Sequence, residues 1–428
     1  MRLSTAALLT VTPVLATPNA SIPNGSSSPL PLSLQMAHSI MSRQEGIYSS
    51  AADSSGPLQA GFVQKTFTQL LSQYPNHTLF PAISAYITKS ADSLLPIFPN
   101  ASSALRYSMD RLSTGNAFIS LANTTNSTEY AHTVSVLSSS LAQNKRNAEQ
   151  GLWYYVYPNW SYLDGMFSFG PFSALYNAIY DPGNAAAWTD LQRQFGLLAE
   201  HCAYQGVGGE GLLVHGYDES RTAAWANNSL GQSPHVWGRS LGWYVLGLLE
   251  TISVIDEHII ENCKTEANVS MIREIRDGFE RELRLRMQAV VRAVDPASGA
   301  WWQLLDQPGR EGNYIESSGS AMFTYALLAG VRKGYLPQST DSTAVSNISS
   351  LSNDSYVDVG RRAYAYLKDA FVVDNGNGTL GWNGTVSVCS LNSTASYEYY
   401  TVRPILYNSV LGSAAFVGAS LEVERLGG

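Results

Sequence analysis

The chain has 428 residues, 45% hydrophobic and only 14% charged, a globular composition long enough for a large core and incompatible with wholesale disorder. Its net charge of −8 and the lack of any dense Lys/Arg cluster exclude nucleic acid and anionic membrane surfaces as natural partners, which need a basic footprint. A small anionic sugar stays open, because one well-placed Arg decides that locally.

Residues 1–16 read as a signal peptide: Met1-Arg2 is followed by an apolar run to Ala16, with small residues where a peptidase would cut. A buried first helix fits less well, since Pro13 and Pro18 interrupt the run. Residues 17–31, rich in Ser, Pro and Gly, read as a flexible segment, and 32–428 as one catalytic domain. No later apolar run is long and uncharged enough to span a bilayer. Fourteen Asn-x-Ser/Thr sequons, from Asn19 to Asn392, point the same way, to a secreted glycoprotein.

Helical periodicity then recurs at 34–41, 62–71, 83–95, 117–121, 132–141, 172–180, 191–203, 241–255, 271–294, 321–331, 357–371 and 410–425, and strand-like alternation is rare. Long segments rich in Gly, Pro, Trp, Asp and Asn, such as 153–170 and 208–238, separate alternate helices, and the other connections are short. Paired helices in this number close into an inner and an outer ring with the long loops at one end. A solenoid is the alternative, but no unit repeats at a fixed period of roughly 30 to 50 residues. The expected fold is therefore all-α, a closed ring of helix pairs.

Four segments carry chemistry. In the first, Trp153-Tyr154-Tyr155-Val156-Tyr157 leads to Asp164, a single carboxylate among aromatic rings at a helix start. Apolar surroundings raise a carboxyl pKa, which suits a proton donor, so Asp164 is the first candidate acid; capping the helix is its bland role. The second contains His215-Gly216-Tyr217-Asp218-Glu219 and Trp237-Gly238-Arg239-Ser240-Leu241-Gly242-Trp243. Arg239 and Trp243, four apart, share a helix face suited to a carboxylate beside a sugar stacked on indole. A metal at His215–Glu219 is disfavoured for want of a companion ligand set, and no cofactor is expected. In the third segment, Asp110 precedes a helix and is followed by Arg111, so capping and a surface ion pair are its bland readings. The fourth, Trp301-Trp302-Gln303-Leu304-Leu305-Asp306 through Glu316-Ser317-Ser318-Gly319, favours close helix packing. Cys202, Cys263 and Cys389 are too few and scattered for a disulfide scaffold.

Taken in order, these segments resemble glycoside hydrolase family 105, the unsaturated rhamnogalacturonyl hydrolases, and more distantly family 88, the unsaturated glucuronyl hydrolases. The matching pieces are Met109-Asp110 with Gly115-Asn116, Leu163-Asp164-Gly165-Met166-Phe167, His215 to Glu219, Trp237-Gly238-Arg239 with Gly242-Trp243-Tyr244, Leu305-Asp306-Gln307-Pro308, and Tyr399-Tyr400. The resemblance implies an (α/α)6 toroid of six helical hairpins. It also implies removal of a 4,5-unsaturated galacturonate from lyase-generated rhamnogalacturonan oligosaccharides by hydration of the double bond. By the same resemblance Asp164 is the general acid and base, Asp110 stabilises developing charge, and Trp153, Tyr154, Tyr157, His215, Trp237, Arg239 and Trp243 bind substrate, with Arg239 on the uronate or on sugar hydroxyls. Just ahead of Gly61 the family carries a Trp and a Tyr where this chain has Pro57-Leu58-Gln59-Ala60, so that wall of the site differs. No metal, cofactor or protein partner is implied, and a monomer is expected. The rival readings are an unsaturated glucuronyl hydrolase acting on another lyase product, and a noncatalytic sugar-binding toroid.

Overall fold

Apolar residues at helical spacing need a second apolar face to cover them, and here the coverings form a ring. A computed structural model describes residues 30–50, 53–262, 266–338 and 355–427. The expected leader at 1–16, nearly all of the segment at 17–31, and Cys263 lie outside the described residues. Residues 31–428 form one compact unit.

The long helices are α1 (Leu32–Ser42), α2 (Gly56–Gln73), α3 (Phe80–Asp92), α5 (Gly115–Thr125), α6 (Thr128–Ala142), α7 (Gly165–Tyr180), α8 (Ala185–His201), α9 (Gly238–Asn262), α10 (Glu266–Arg292), α11 (Ser317–Arg332), α12 (Tyr356–Phe371) and α14 (Val410–Arg425), with the one-turn helices α4 (Ala101–Ala104) and α13 (Tyr397–Thr401) between them. Helices α2, α5, α7, α9, α11 and α14 each touch the next around an inner ring, and α14 returns to α2. The outer partners follow in sequence: α3 backs α2, α6 backs α5, α8 lies against α7, α10 backs α9 and α12 backs α11. The sixth pair joins the two ends of the chain, α1 packing on α14. This is the (α/α)6 toroid.

Sequence character tracks ring position. Outer α12 has a Ser355–Asp358 capping box and buries one stripe, Tyr356, Val359, Gly360, Ala363 and Leu367. Inner α11 and α14 are buried nearly all round, which only a helix enclosed by neighbours tolerates. The most extensive contact is that of α7 with α9, where a Cβ at Gly247 would stand 2.7 Å from the Met166 carbonyl carbon, so only glycine fits there. Helix α7 starts at Gly165 and runs through Pro171, earlier than the periodicity from Phe172 suggests. A proline reads as a stop in sequence, whereas burial on every side keeps this helix going past it.

Three two-stranded ladders lie among the described loops: β1 (Trp160–Tyr162) with β2 (Gly216–Asp218), β3 (Val372–Asp374) with β4 (Leu380–Trp382), and β5 (Thr385–Val386) with β6 (Ile405–Leu406), all antiparallel.

Candidate active site

The inner helices begin at one end of the ring, and there a cleft of about 270 Å³ opens. It is lined by Leu58 from the first turn of α2, Asp110 ahead of α5, Asp164 at the start of α7, Arg239 from the first turn of α9 and Leu411 from the first turn of α14. Unpaired backbone N–H groups at such ends carry partial positive charge, so the cleft suits an anionic ligand. A larger cavity of about 750 Å³ lies toward the other ends of these helices. Its charges are already matched: Lys65 bonds Glu250 at 2.7 Å, and Arg332 and Arg425 share Glu422. We place the chemistry in the smaller cleft, where two buried carboxyls form no ion pair with a described Arg or Lys.

Asp164 does not cap α7; its side chain makes no bond to the helix start. Instead Oδ2 accepts from Ser240 Oγ at 2.6 Å, and His215 Nε2 stands 3.2 Å from the same oxygen. The β1/β2 ladder brings this about. Its register sets Tyr162 opposite Gly216, and the Leu163 N–H donates to the His215 carbonyl, so Asp164 and His215 emerge side by side. Nε2 is buried without a hydrogen-bond partner, because its approach to Asp164 is out of line, an unsatisfied group of the kind found at reaction centres. Nδ1 lies 2.7 Å from the Tyr400 hydroxyl, and rings of Tyr162, Trp237 and Tyr400 surround the imidazole.

Asp110 sits in a 3₁₀ turn, Met109–Leu112, capped by Ser108, so it is not the helix cap its sequence neighbourhood suggests. Its Oδ2 accepts from the Tyr154 hydroxyl at 2.6 Å, and buried Oδ1 has no partner. Burial pushes this carboxyl up to about 7; the Tyr154 hydroxyl pulls against that and the neighbouring charge of Asp164 adds to it. Burial, then the charges of Asp110 and Asp164, lift the Tyr154 phenol well above its usual value, so it keeps its proton and donates. Nor does Arg111 act as a surface partner. It is buried and bonds Ser140, Asn144 and the carbonyls of Tyr107 and Ser108.

Of the other expected positions, Tyr154, Tyr157, Trp237, Arg239 and Trp243 line the cleft, whereas Trp153 and His215 do not. Trp153 turns away and stacks under Lys145, 5.0 Å from its ring centre. His215 is fully buried behind Asp164. Arg239 corrects the expectation of a free uronate reader: its terminal nitrogens donate to the carbonyls of Val386 (2.6 Å) and Ser387 (2.9 Å) and to Ser318, beside Glu316 at 4.0 Å. Its guanidinium thus clamps β5 against the start of α11. Arg239→Ala takes the donors from the buried carbonyls of Val386 and Ser387 and the counter-charge from Glu316, and we expect a loss of roughly 3 kcal/mol in folding free energy, read by urea unfolding; unchanged stability would return Arg239 to ligand binding alone.

Ser240, Tyr162 and Arg106 escaped the reading of residue types. Ser240 was hidden between Arg239 and Leu241, its hydroxyl aimed by the helix start. Among the described residues no group of three or more His, Cys, Asp or Glu could hold a metal. Asp218 instead accepts from Ser220, Thr222 and Ala223 and ties its own loop, while Cys202 and Cys389 are buried free thiols.

A helical toroid with two buried carboxyls beneath an aromatic wall defines a class, the carbohydrate-active hydrolases. Within it, the chain belongs to Glycosyl Hydrolase Family 88, whose model matches residues 33–427. A family 105 glycoside hydrolase from C. acetobutylicum ATCC 824 is similar in structure, with a TM-score of 0.74 and 28% identity over 92% of this chain and 100% of that one. The unsaturated glucuronyl hydrolase of Bacillus sp. GL1, responsible for degradation of glycosaminoglycan, shares the fold at TM-score 0.59 and 12% identity, covering 92% and 95% of the two chains. "Protein Atu3128" of Agrobacterium fabrum is 31% identical over 239 residues, 54% of this chain and 89% of its own. Members of this group act on oligosaccharides that end in an unsaturated uronic acid.

Proposed function

We propose that the protein is a secreted unsaturated rhamnogalacturonyl hydrolase, which removes a 4,5-unsaturated galacturonate from the nonreducing end of lyase-generated oligosaccharides. The observation that carries the reading is the carboxyl pair at the cleft floor, Asp110 kept neutral up to about pH 7 and Asp164 beside it under Ser240. Two carboxyls in one cleft can divide the work, one giving a proton and the other holding charge. A sugar hydroxyl donating to the unpartnered Oδ1 of Asp110 favours its carboxylate, the form that stabilises positive charge.

Asp164, as the general acid, delivers a proton to C4, and positive charge spreads over C5 and the ring oxygen, stabilised by the Asp110 carboxylate. Water adds to C5 and gives its proton back to Asp164. The C5 hemiketal opens to a ketone, the ring oxygen becomes a hydroxyl on C1, and the resulting C1 hemiacetal collapses to an aldehyde as the following sugar leaves as an alcohol. No bond forms between sugar and protein, so the carboxylate separation that distinguishes retaining from inverting glycosidases sets no outcome.

Two features support secretion: the leader-like residues 1–16 and sequons whose asparagines are exposed, among them Asn76, Asn100, Asn227 and Asn377. Rhamnogalacturonan as the source is what the resemblance of the sequence segments to the unsaturated rhamnogalacturonyl hydrolases implies.

The test is turnover in heavy water of an unsaturated rhamnogalacturonan disaccharide beside its saturated counterpart. Loss of the double bond's ultraviolet absorbance and NMR detection of one solvent deuterium at C4 are expected, with no cleavage of the saturated sugar, which offers no carbon to protonate. Cleavage of the saturated galacturonide, or product without deuterium at C4, would make this an ordinary glycosidase. Selective turnover of unsaturated glucuronides would move the substrate to another lyase product.

A further inference from the structure

The cleft takes a sugar acid yet is floored by acids of its own, so the disposition of its cations decides what else it can hold. Arg111 and Arg239 are buried and committed to protein oxygens. Arg106 is different. It is exposed, lines the same cleft, and its guanidinium has no hydrogen bond or ion pair with any described residue.

Its backbone, by contrast, is held on both sides. The Arg106 N–H donates to the Ser103 carbonyl, and its own carbonyl accepts from the Tyr155 hydroxyl at 2.8 Å. Next to it, Tyr107 is fixed by the Tyr48 hydroxyl at 3.0 Å and by the edge of Phe98. Tyr155 in turn meets Tyr157 edge to face, with 5.9 Å between ring centres, and both line the cleft. A fixed base, an uncommitted charge and two adjacent rings are what a sugar subsite needs: the rings offer faces, the fork reads an anion.

Depth decides which anion. Asp110 and Asp164, 4% and 8% exposed, must reach C4 and C5 of the unsaturated ring, so that ring and its own carboxylate lie on the floor near the helix starts. Arg106 stands at the rim, where the released part of the substrate lies. Building on the reading of the reaction given above, we infer that Arg106, with Tyr155 and Tyr157, forms an outer subsite for a second, carboxylate-bearing sugar in the part of the oligosaccharide that is released. The enzyme therefore prefers lyase products that carry a further uronate to those whose remainder is neutral.

The experiment compares the native protein with Arg106→Ala and Arg106→Lys on two substrates: unsaturated galacturonate linked to rhamnose, and the tetrasaccharide with one further galacturonate-rhamnose unit. For the native protein kcat/KM should favour the tetrasaccharide by about 3- to 10-fold, through KM, as expected of one charge-assisted contact at a wet rim. Arg106→Ala should bring that ratio to about 1, Arg106→Lys should keep part of it, and about 0.5 M salt, whose Debye length is only a few ångström, should shrink it in the native protein. A ratio that Arg106→Ala leaves unchanged, with both substrates falling together or neither, overturns the subsite. Calorimetry with the saturated tetrasaccharide separates this from the reaction itself. Arg106-dependent binding without turnover of either unsaturated sugar would sink the hydration reading and leave the subsite standing.

Discussion

Asp164→Asn lowers kcat by roughly 10²- to 10⁴-fold while KM moves by less than about threefold. The amide keeps the shape of the carboxyl, and its oxygen still accepts from Ser240, now 2.6 Å from Oδ2, so the cleft keeps its form. What disappears is the group that gives a proton to C4 and takes one from water. Because the Asp164 side chain makes no bond to the start of α7, the variant should melt within a few degrees of the native protein. That separates lost chemistry from lost structure. Stopped-assay kinetics on the unsaturated disaccharide, with circular dichroism for the melt, are sufficient. Near-native kcat would shift the proton donor to Asp110, the other carboxyl on the cleft floor.

The ring was legible because it is written in short range. Period-3.6 patterns at each of the twelve long helices need no partner to be seen, and pairing by short loops does the rest. The site was legible only as residue types. Asp164 and His215 are 51 positions apart by number and meet through β1 and β2, each of three residues, too short for alternation to register. Asp110 looked like a cap because what changes its chemistry, the Tyr154 hydroxyl and complete burial, comes from 44 residues further on. Arg239 and Trp243 do share a face as spacing indicates, but the acceptors that engage Arg239 are backbone carbonyls, which leave no mark on side-chain identity. Trp153 shows the converse failure: a dense aromatic stretch suggested a lining residue, and the chain turns it out onto Lys145.

A second large effect is expected in stability, from Asp110→Asn. Burial first, and the charge of Asp164 with it, lifts the Asp110 carboxyl from 3.8 to about 7 in the folded protein. Between these values the folded chain holds a proton that the unfolded chain has released, so this group's contribution to stability falls as pH rises. It is fully present below the unfolded pKa and gone above about 7, where the fold must keep a buried carboxylate beside Asp164. Three units correspond to the order of 4 kcal/mol. Asparagine carries no proton to lose and still accepts from Tyr154, so Asp110→Asn should match the native protein near pH 4 and exceed it at pH 8 by about 4 kcal/mol. Activity should move the opposite way, since the variant cannot form the carboxylate that stabilises charge at C5. Urea unfolding at three pH values across this window reads the first effect and kcat the second. Parallel stability curves for the two proteins would mean that Asp110 titrates as an ordinary surface carboxylate, and its burial would not govern its charge.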